Sequence, residues 1–283
     1  MGEATPDEMT NYSYVADRNV AWFMKPPSIL PWPARELLEK YSGIEPQQVG
    51  KHIAGLRDRA WDTYPFPCIG SFDFLDFNLS QRNRLYPRLL FRLQGGQKFL
   101  DIGCCLGHDI RKLIFDGVPS SNVAGVELRA GFIDLGFELF RDKDKFEGRM
   151  LPGSITEDGE PWVQLEGQFD VVNFGMVFHC LTWDEQIQAL GRALDALNGQ
   201  KGNSVIGICV GTLDGRLENW TGKTVPAHNE ETFEKLVREF EEKTATKWEV
   251  QVELDTGFCM WDGKYEWLGP RVRRCVFELT RLE

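Results

Sequence analysis

Residues Lys98 to Asp109, KFLDIGCCLGHD, decide the fold. Phe99-Leu100-Asp101-Ile102 is an almost unbroken apolar run bounded by turn signals, which predicts a short buried strand. Gly103 to Gly107 then makes a tight turn, and Asp109-Ile110-Arg111-Lys112-Leu113-Ile114 resumes at helical spacing. Strand, glycine turn and helix form the first half of a nucleotide-binding βαβ unit. Glycine lets the chain turn sharply and lets a ligand approach where a Cβ would collide. Such a unit needs an acid at the end of its next strand to hold ribose hydroxyls. Val123-Ala124-Gly125-Val126-Glu127 supplies it, about 20 residues beyond Gly107.

Composition narrows the function. A chain of 283 residues with 42% hydrophobic content is long enough for one α/β domain plus an elaboration. A net charge of −11 argues against nucleic acid, which needs a basic face. No apolar run approaches the roughly 20 residues of a membrane span, and the polar, acidic start does not read as a signal peptide. The seven cysteines (68, 104, 105, 180, 209, 259 and 275) are odd in number and carry no C-x-x-C pair. That fits free thiols in a reducing cytoplasm, with neither disulfides nor a metal expected.

Outside the glycine turn, Tyr12, Tyr14, Trp22 and Phe23 are interleaved with charges, too many aromatics for a disordered tail. They read either as a strap packed on the body or as a lid over a pocket. Ala34 to Tyr41 predicts a short helix stopped by Gly43, and Val49, Ile53, Leu56 and Ala60 mark one face of a helix opened by Pro46. Tyr64 to Gly70 is excluded from regular helix by its prolines. Phe72, Phe74, Leu75 and Phe77 behind it form either a core seam or an apolar wall for a ligand. A helix over about Tyr86 to Leu93 leads into the first strand. Later come a helix over Ala130 to Arg141, a weak strand over Gly148 to Leu151 and a firm one over Phe169 to Phe174. Thr182 to Glu185 has capping-box spacing, Ser204 to Val210 is a fifth strand and Asn229 caps a further helix. Trp248 to Leu254 and Arg274 to Leu279 read as a closing pair of strands. The runs Arg141 to Lys145 and Glu239 to Lys243 read as solvated faces.

The glycine order D-x-G-x-x-x-G resembles the first motif of class I S-adenosylmethionine (SAM) methyltransferases, D-x-G-x-G-x-G, with Cys105 in place of the middle glycine. Leu30-Pro31-Trp32-Pro33-Ala34-Arg35-Glu36-Leu37-Leu38, Pro67-Cys68-Ile69-Gly70-Ser71-Phe72, the Gly103-Cys104-Cys105 turn, Phe178-His179 and His228-Asn229 are similar to one group of fungal methyltransferases. That group acts in meroterpenoid and polyketide pathways. The resemblance implies a Rossmann-like α/β fold with a seven-stranded, mostly parallel sheet and helices on both faces. It implies a SAM domain over 97–283 and a helical, aromatic cap and substrate lid over 1–96. It implies SAM as cofactor, S-adenosylhomocysteine (SAH) as product, and a small apolar acid or phenol as acceptor, in a cytoplasmic monomer or homodimer.

Onto this chain the resemblance puts Asp101, Gly103, Cys104, Cys105, Gly107, Glu127, Leu128, Ser154, Ile155, Asn173 and Phe174 around the cofactor. It puts Tyr12, Tyr14, Phe178, Trp183 and His228 at the substrate. An acid commonly faces the adenine after the third strand; Ser154 stands there, with Glu157 and Asp158 near. His179, beyond the fourth strand, would face the acceptor oxygen. A carboxyl with pKa near ~4 needs only placement, whereas a phenol near ~10 gains from a base. His179 is then a positioner or a proton acceptor, unless it is satisfied inside the fold. His228 is a helix-capping or packing residue, or touches substrate; His108 meets the cofactor side or solvent. Cys105 and Ser154, as departures from the motif, leave open a second function: a methyltransferase fold catalysing cyclisation without methyl transfer.

Overall fold

A computed structural model describes residues 16–219, 223–255 and 270–283. Tyr12, Tyr14 and Cys259 lie outside the described residues.

The apolar runs become strands that share one sheet. They are β1 (Phe99–Ile102), β2 (Val123–Glu127), β3 (Arg149–Pro152), β4 (Val171–Gly175) and β5 (Ser204–Thr212), all parallel. A ribbon of β6 (Leu217–Asn219) and β7 (Thr224–Pro226) stands apart from it. The closing pair, β8 (Trp248–Asp255) and β9 (Val272–Arg281), is antiparallel, and β9 also pairs antiparallel with β5. The seven-stranded order is β3-β2-β1-β4-β5-β9-β8. Every residue of β1, β2 and β5 is buried, as expected for strands covered on both faces.

Helices are numbered along the chain. α1 (Trp32–Glu36) runs into a π-helical turn at Leu37–Tyr41, and Gly43 leaves it in the left-handed conformation. α2 (Pro46–Thr63) starts at its proline and buries Val49, Ile53, Leu56 and Ala60. The proline-rich stretch expected to be non-helical contains one turn, α3 (Pro67–Gly70), because Pro67 sits at the first position, where no N–H is needed. α4 (Asn78–Arg82) had no sequence signal; α5 (Tyr86–Gln94) had one. After β1 comes α6 (His108–Phe115), followed by α7 (Ala130–Phe140), α8 (Glu160–Leu165), α9 (Trp183–Ala196) and α10 (Glu230–Thr244). Both capping boxes, Thr182 with Glu185 and Asn229 with Thr232, are formed.

Alternation along the strands assigns the layers. Phe99, Val123, Val171 and Ile206 face α5 and α6, while Leu100, Ala124, Val172 and Val205 face α8, α9 and α10. A third cluster joins α1, α2 and α3 to Phe132, Leu135, Leu139 and Phe140 of α7. Phe72, Phe74, Leu75 and Phe77 are buried in that cluster, so the dense aromatic patch is a core seam. Trp22 and Phe23 strap across it. Phe23 meets Trp61 edge-on at 4.9 Å, the Arg57 guanidinium lies 4.1 Å from the Phe23 ring, and Arg57 Nη1 donates to the Met24 carbonyl.

One charge run departs from the solvated reading. Asp142 is wholly buried and takes two hydrogen bonds from the equally buried Arg111, at 2.9 and 3.2 Å, while Tyr41 Oη donates to it at 2.8 Å. Phe137, Phe140 and Phe146 enclose the guanidinium. The alternating charges Arg141-Asp142-Lys143 hide an inward-facing acid that pairs with a cation 31 residues earlier.

Candidate active site

The loop from β1 to α6 is shaped by three left-handed residues, Gly103 (φ 76°), Cys105 (φ 52°) and Gly107 (φ 65°). Cys105 therefore holds the backbone conformation that the glycine of the motif would adopt freely, so the substitution keeps the glycine-type turn at a cost in strain. A Cβ on Gly103 would meet Val177 Cγ2 at 2.4 Å, and one on Gly107 would meet Arg111 Nη1 at 2.2 Å. Gly103 and Cys104 donate to the Val126 carbonyl at 2.8 and 3.1 Å, which draws the loop toward the end of β2.

Glu127 lies at that end. Its Oε2 accepts the Cys105 N–H at 2.8 Å and its Oε1 the Arg129 N–H at 2.9 Å. Burial raises its pKa, and the N–H groups of Arg129 and Cys105 oppose the rise. A carboxylate has about four lone-pair sites, so acceptor capacity remains for ribose hydroxyls. The next residue, Leu128, is a large apolar side chain left 51% exposed, open to a flat ring. After β3, Ser154 Oγ lies 3.2 Å from Thr156 Oγ1, its carbonyl accepts from Trp162 Nε1 at 2.8 Å, and the Ile155 carbonyl accepts from Arg192.

Across the ends of β1 and β4, Asn173 Nδ2 donates to Asp101 Oδ1 at 2.7 Å. Burial holds the Asp101 carboxyl well above the usual range, Asp109 pushes it further, and Asn173 opposes both. Asp109 opens α6; burial pushes it up to about 7, and its Oδ1 is buried without a hydrogen-bond partner. His108 lies against the Phe77 ring with its pKa pushed down to about 4 by burial, which sets aside a solvated role. The Cys68, Cys104, Cys105 and Cys180 thiols are all pushed up by burial, Cys180 to about 11, so they remain protonated at neutral pH.

His179 sits on the 3₁₀ turn Phe178–Cys180, and its Nδ1 faces the Val210 N–H at 3.5 Å. Burial pushes its pKa down to about 4, so the ring is neutral at pH 7. Gln186, with no sequence signal, fixes this turn. It is fully buried and donates to the carbonyls of Phe178 and Leu181 at 2.9 and 3.3 Å. That orientation turns Gln186 Oε1 toward His228 Nε2 at 2.8 Å, so Nε2 carries the His228 proton. Nδ1 of the same ring meets Thr232 Oγ1 at 3.1 Å.

His228 is wholly buried, with both nitrogens engaged, and is placed as a support behind the turn, not at a ligand surface. Phe174 and Phe178 are likewise core residues, packed edge-on to each other at 4.9 Å. Trp183 is half-buried and donates from Nε1 to Glu239 Oε2 at 2.8 Å. Asp101, Gly103, Cys105, Gly107, Glu127, Leu128 and Asn173 come together at the strand ends. This is the crevice where open α/β sheets bind ligands. The glycine cradle and the acid with spare acceptor capacity fit an adenosyl amino acid.

The strand order and this loop define a class I SAM-dependent methyltransferase. The solved SAM complex of phosphoethanolamine N-methyltransferase 2 from Haemonchus contortus shares the fold. It has a TM-score of 0.50 at 12% identity, covering 92% of this chain and 62% of that one. Residues 22–75 match the meroterpenoid methyltransferase N-terminal domain. O-methyltransferase phiE, from a fungal species, is 37% identical over 259 residues, covering 89% of this chain and 84% of phiE. The asnovolin E/chermesin D methyltransferase nvfJ of Aspergillus novofumigatus is 35% identical over 227 residues, covering 80% and 77%. The chain belongs to this family of fungal secondary-metabolite methyltransferases. It is a SAM-dependent O-methyltransferase acting on a small molecule. Among the described residues no helix is long and apolar enough to cross a membrane.

Proposed function

We propose that the acceptor is a carboxylate on an apolar polyketide- or terpenoid-derived acid, which leaves as its methyl ester. The observation that carries this reading is the placement of His179 on the turn after β4, with its Nδ1 turned to the Val210 N–H at 3.5 Å and its pKa pushed down by burial. A ring held neutral down to about pH 4 is a weak base for a phenol with pKa near ~10, but it can orient an acceptor that is already ionised. The chain's own residues divide the work. Glu127 would take the ribose hydroxyls, Leu128, Ser154 and Ile155 would hold the adenine, and Asp101, Gly103 and Asn173 would hold the amino-acid end. Bound SAM supplies an electrophilic methyl on a sulfonium. His179 aligns the acceptor oxygen, and the cap before residue 97 keeps water from the site, which strengthens every charge interaction there. The nvfJ substrates, asnovolin E and chermesin D, are named with that relative and suggest a compound class to screen first.

The test is a panel of apolar acids and phenols incubated with methyl-labelled SAM. Mild alkali releases labelled methanol from an ester and leaves an aryl ether intact. Label that survives alkali overturns the carboxylate reading.

A further inference from the structure

Asp109 has no task in the assignment above, yet it is buried, charged by type and incompletely paired. It lies in the first turn of α6, where the helix field favours a negative charge. Its Oδ1 has no hydrogen-bond partner. Its Oδ2 is 3.8 Å from His108 Nε2, and His108 is neutral at pH 7, so no cation comes from that side. The same Oδ2 is 4.0 Å from where a Cβ on Gly175 would stand, and that point is 3.3 Å from Asn173 Nδ2, the group bonded to Asp101. Asp109 thus reaches across from α6 to the end of β4, beside the Asp101–Asn173 pair.

We propose that Asp109 is a second carboxylate for the α-ammonium of the cofactor, seated with Asp101 across the ends of β1 and β4. Two neighbouring buried acids, one with an unpartnered oxygen, repel an anion and suit a cation, and an ammonium brings one charge and three N–H donors. The cofactor's other parts are excluded by the same chemistry. Its carboxylate would meet two acids, and its ribose has Glu127 at the end of β2. A purely structural role would be to hold the backbone N–H of Leu79 in α4, which faces the same carboxyl. That role predicts no discrimination between ligands with and without the amine.

Calorimetry on the full chain separates the two. The probes are SAH and its deaminated analogue, which keeps the thioether and carboxylate and lacks the amino group. Wild type should bind SAH about 10-fold or more tightly than the analogue, the usual scale for a charge-assisted hydrogen bond. Asp109→Asn should erase most of that preference while leaving the affinity for the analogue within about twofold. Asparagine keeps an acceptor for the Leu79 N–H, and circular dichroism melts of this variant and of Asp109→Ser confirm the fold. Equal weakening of both ligands, or no change for SAH, overturns the proposal. A wild type that binds SAH no better than the analogue overturns it without any variant. A wild type that binds neither overturns the cofactor assignment and the proposal together.

Discussion

Asn173 on β4 and Asp101 on β1 are joined side chain to side chain at 2.7 Å, both buried, directly beneath the glycine loop. The two residues are also cross-strand partners in the β1–β4 pairing, so the bond ties the strands together at that register. Asn173→Ala leaves the Asp101 carboxyl without its donor, which should cost about 1–3 kcal/mol of stability. Urea unfolding measures that loss, and SAH calorimetry should show weaker binding in parallel. An unchanged midpoint and affinity would contradict the assignment.

Cys105 is the residue at which motif and chain disagree. Because its φ is 52°, Cys105→Gly should stay within about 1 kcal/mol of wild type, relief of strain offsetting the freer unfolded chain. Cys105→Val, β-branched in the same conformation, should cost more than about 2 kcal/mol. Denaturant midpoints for the two variants provide the comparison; a valine variant as stable as the glycine one refutes the left-handed loop.

His179 should behave as a positioner. With its pKa at about 4 it is neutral from pH 6 to 9, so kcat should be nearly flat across that range. His179→Asn should keep measurable turnover. A rate that climbs with pH through the histidine range, and loses about 10²-fold or more in the variant, would restore the base role.

His228 gives the fold a defined acid sensitivity. Its folded pKa, about 4, lies below the ordinary 6.5 because burial disfavours the charged ring. The unfolded chain therefore binds the proton first, and stability falls as pH drops from 6.5 toward 4. Asp109 acts oppositely: its raised pKa, about 7, adds stability as pH falls from 7 toward 3.8. Against that background His228→Gln should remove about 2 kcal/mol of the loss between pH 6.5 and 5. Unfolding curves of both proteins at the two pH values test it; parallel losses would sink the idea.

The Arg111–Asp142 pair has no solvent to replace a missing partner. Asp142→Ala should cost about 3–5 kcal/mol, since it strands a buried guanidinium among three phenylalanines. Removing both charges, as Arg111→Met with Asp142→Leu, should recover much of that. Chemical denaturation of the single and double variants decides it, and additive losses would contradict the pairing.

These residues also show what the sequence could and could not reveal. The seven strands of the main sheet, the helix faces, the Thr182 capping box and the Asn229 cap were legible because each rests on a local rule: an apolar run, a 3-4 spacing or a side chain three residues from an N–H. The π-helical turn at Leu37, the helix at Asn78 and the ribbon at Leu217 were not, since each is short and carries no apolar periodicity or cap of its own. In the site, Asp101, Gly103, Gly107 and Glu127 stood out through motif spacing. Gln186 carried no signal, because a glutamine on an amphipathic helix looks the same whether it meets water or a buried histidine. Asp142 was masked by the charges on either side of it. Phe178 read as a ligand contact, and His228 as either a packing residue or a ligand contact, because aromatic and imidazole groups serve a core as well as a pocket.

The antiparallel strand β9 follows β8 in the chain, yet it lies between β8 and β5 and is the element that joins them. During synthesis β8 must therefore wait, its hydrogen-bonding edge unmet, until the residues up to Arg281 have left the ribosome. The five parallel strands all precede β8, so nothing in their pairing depends on the closing antiparallel pair except the outer edge of β5. Loop closure between Ser204 and Thr280 is the entropic hurdle to joining that pair to the sheet.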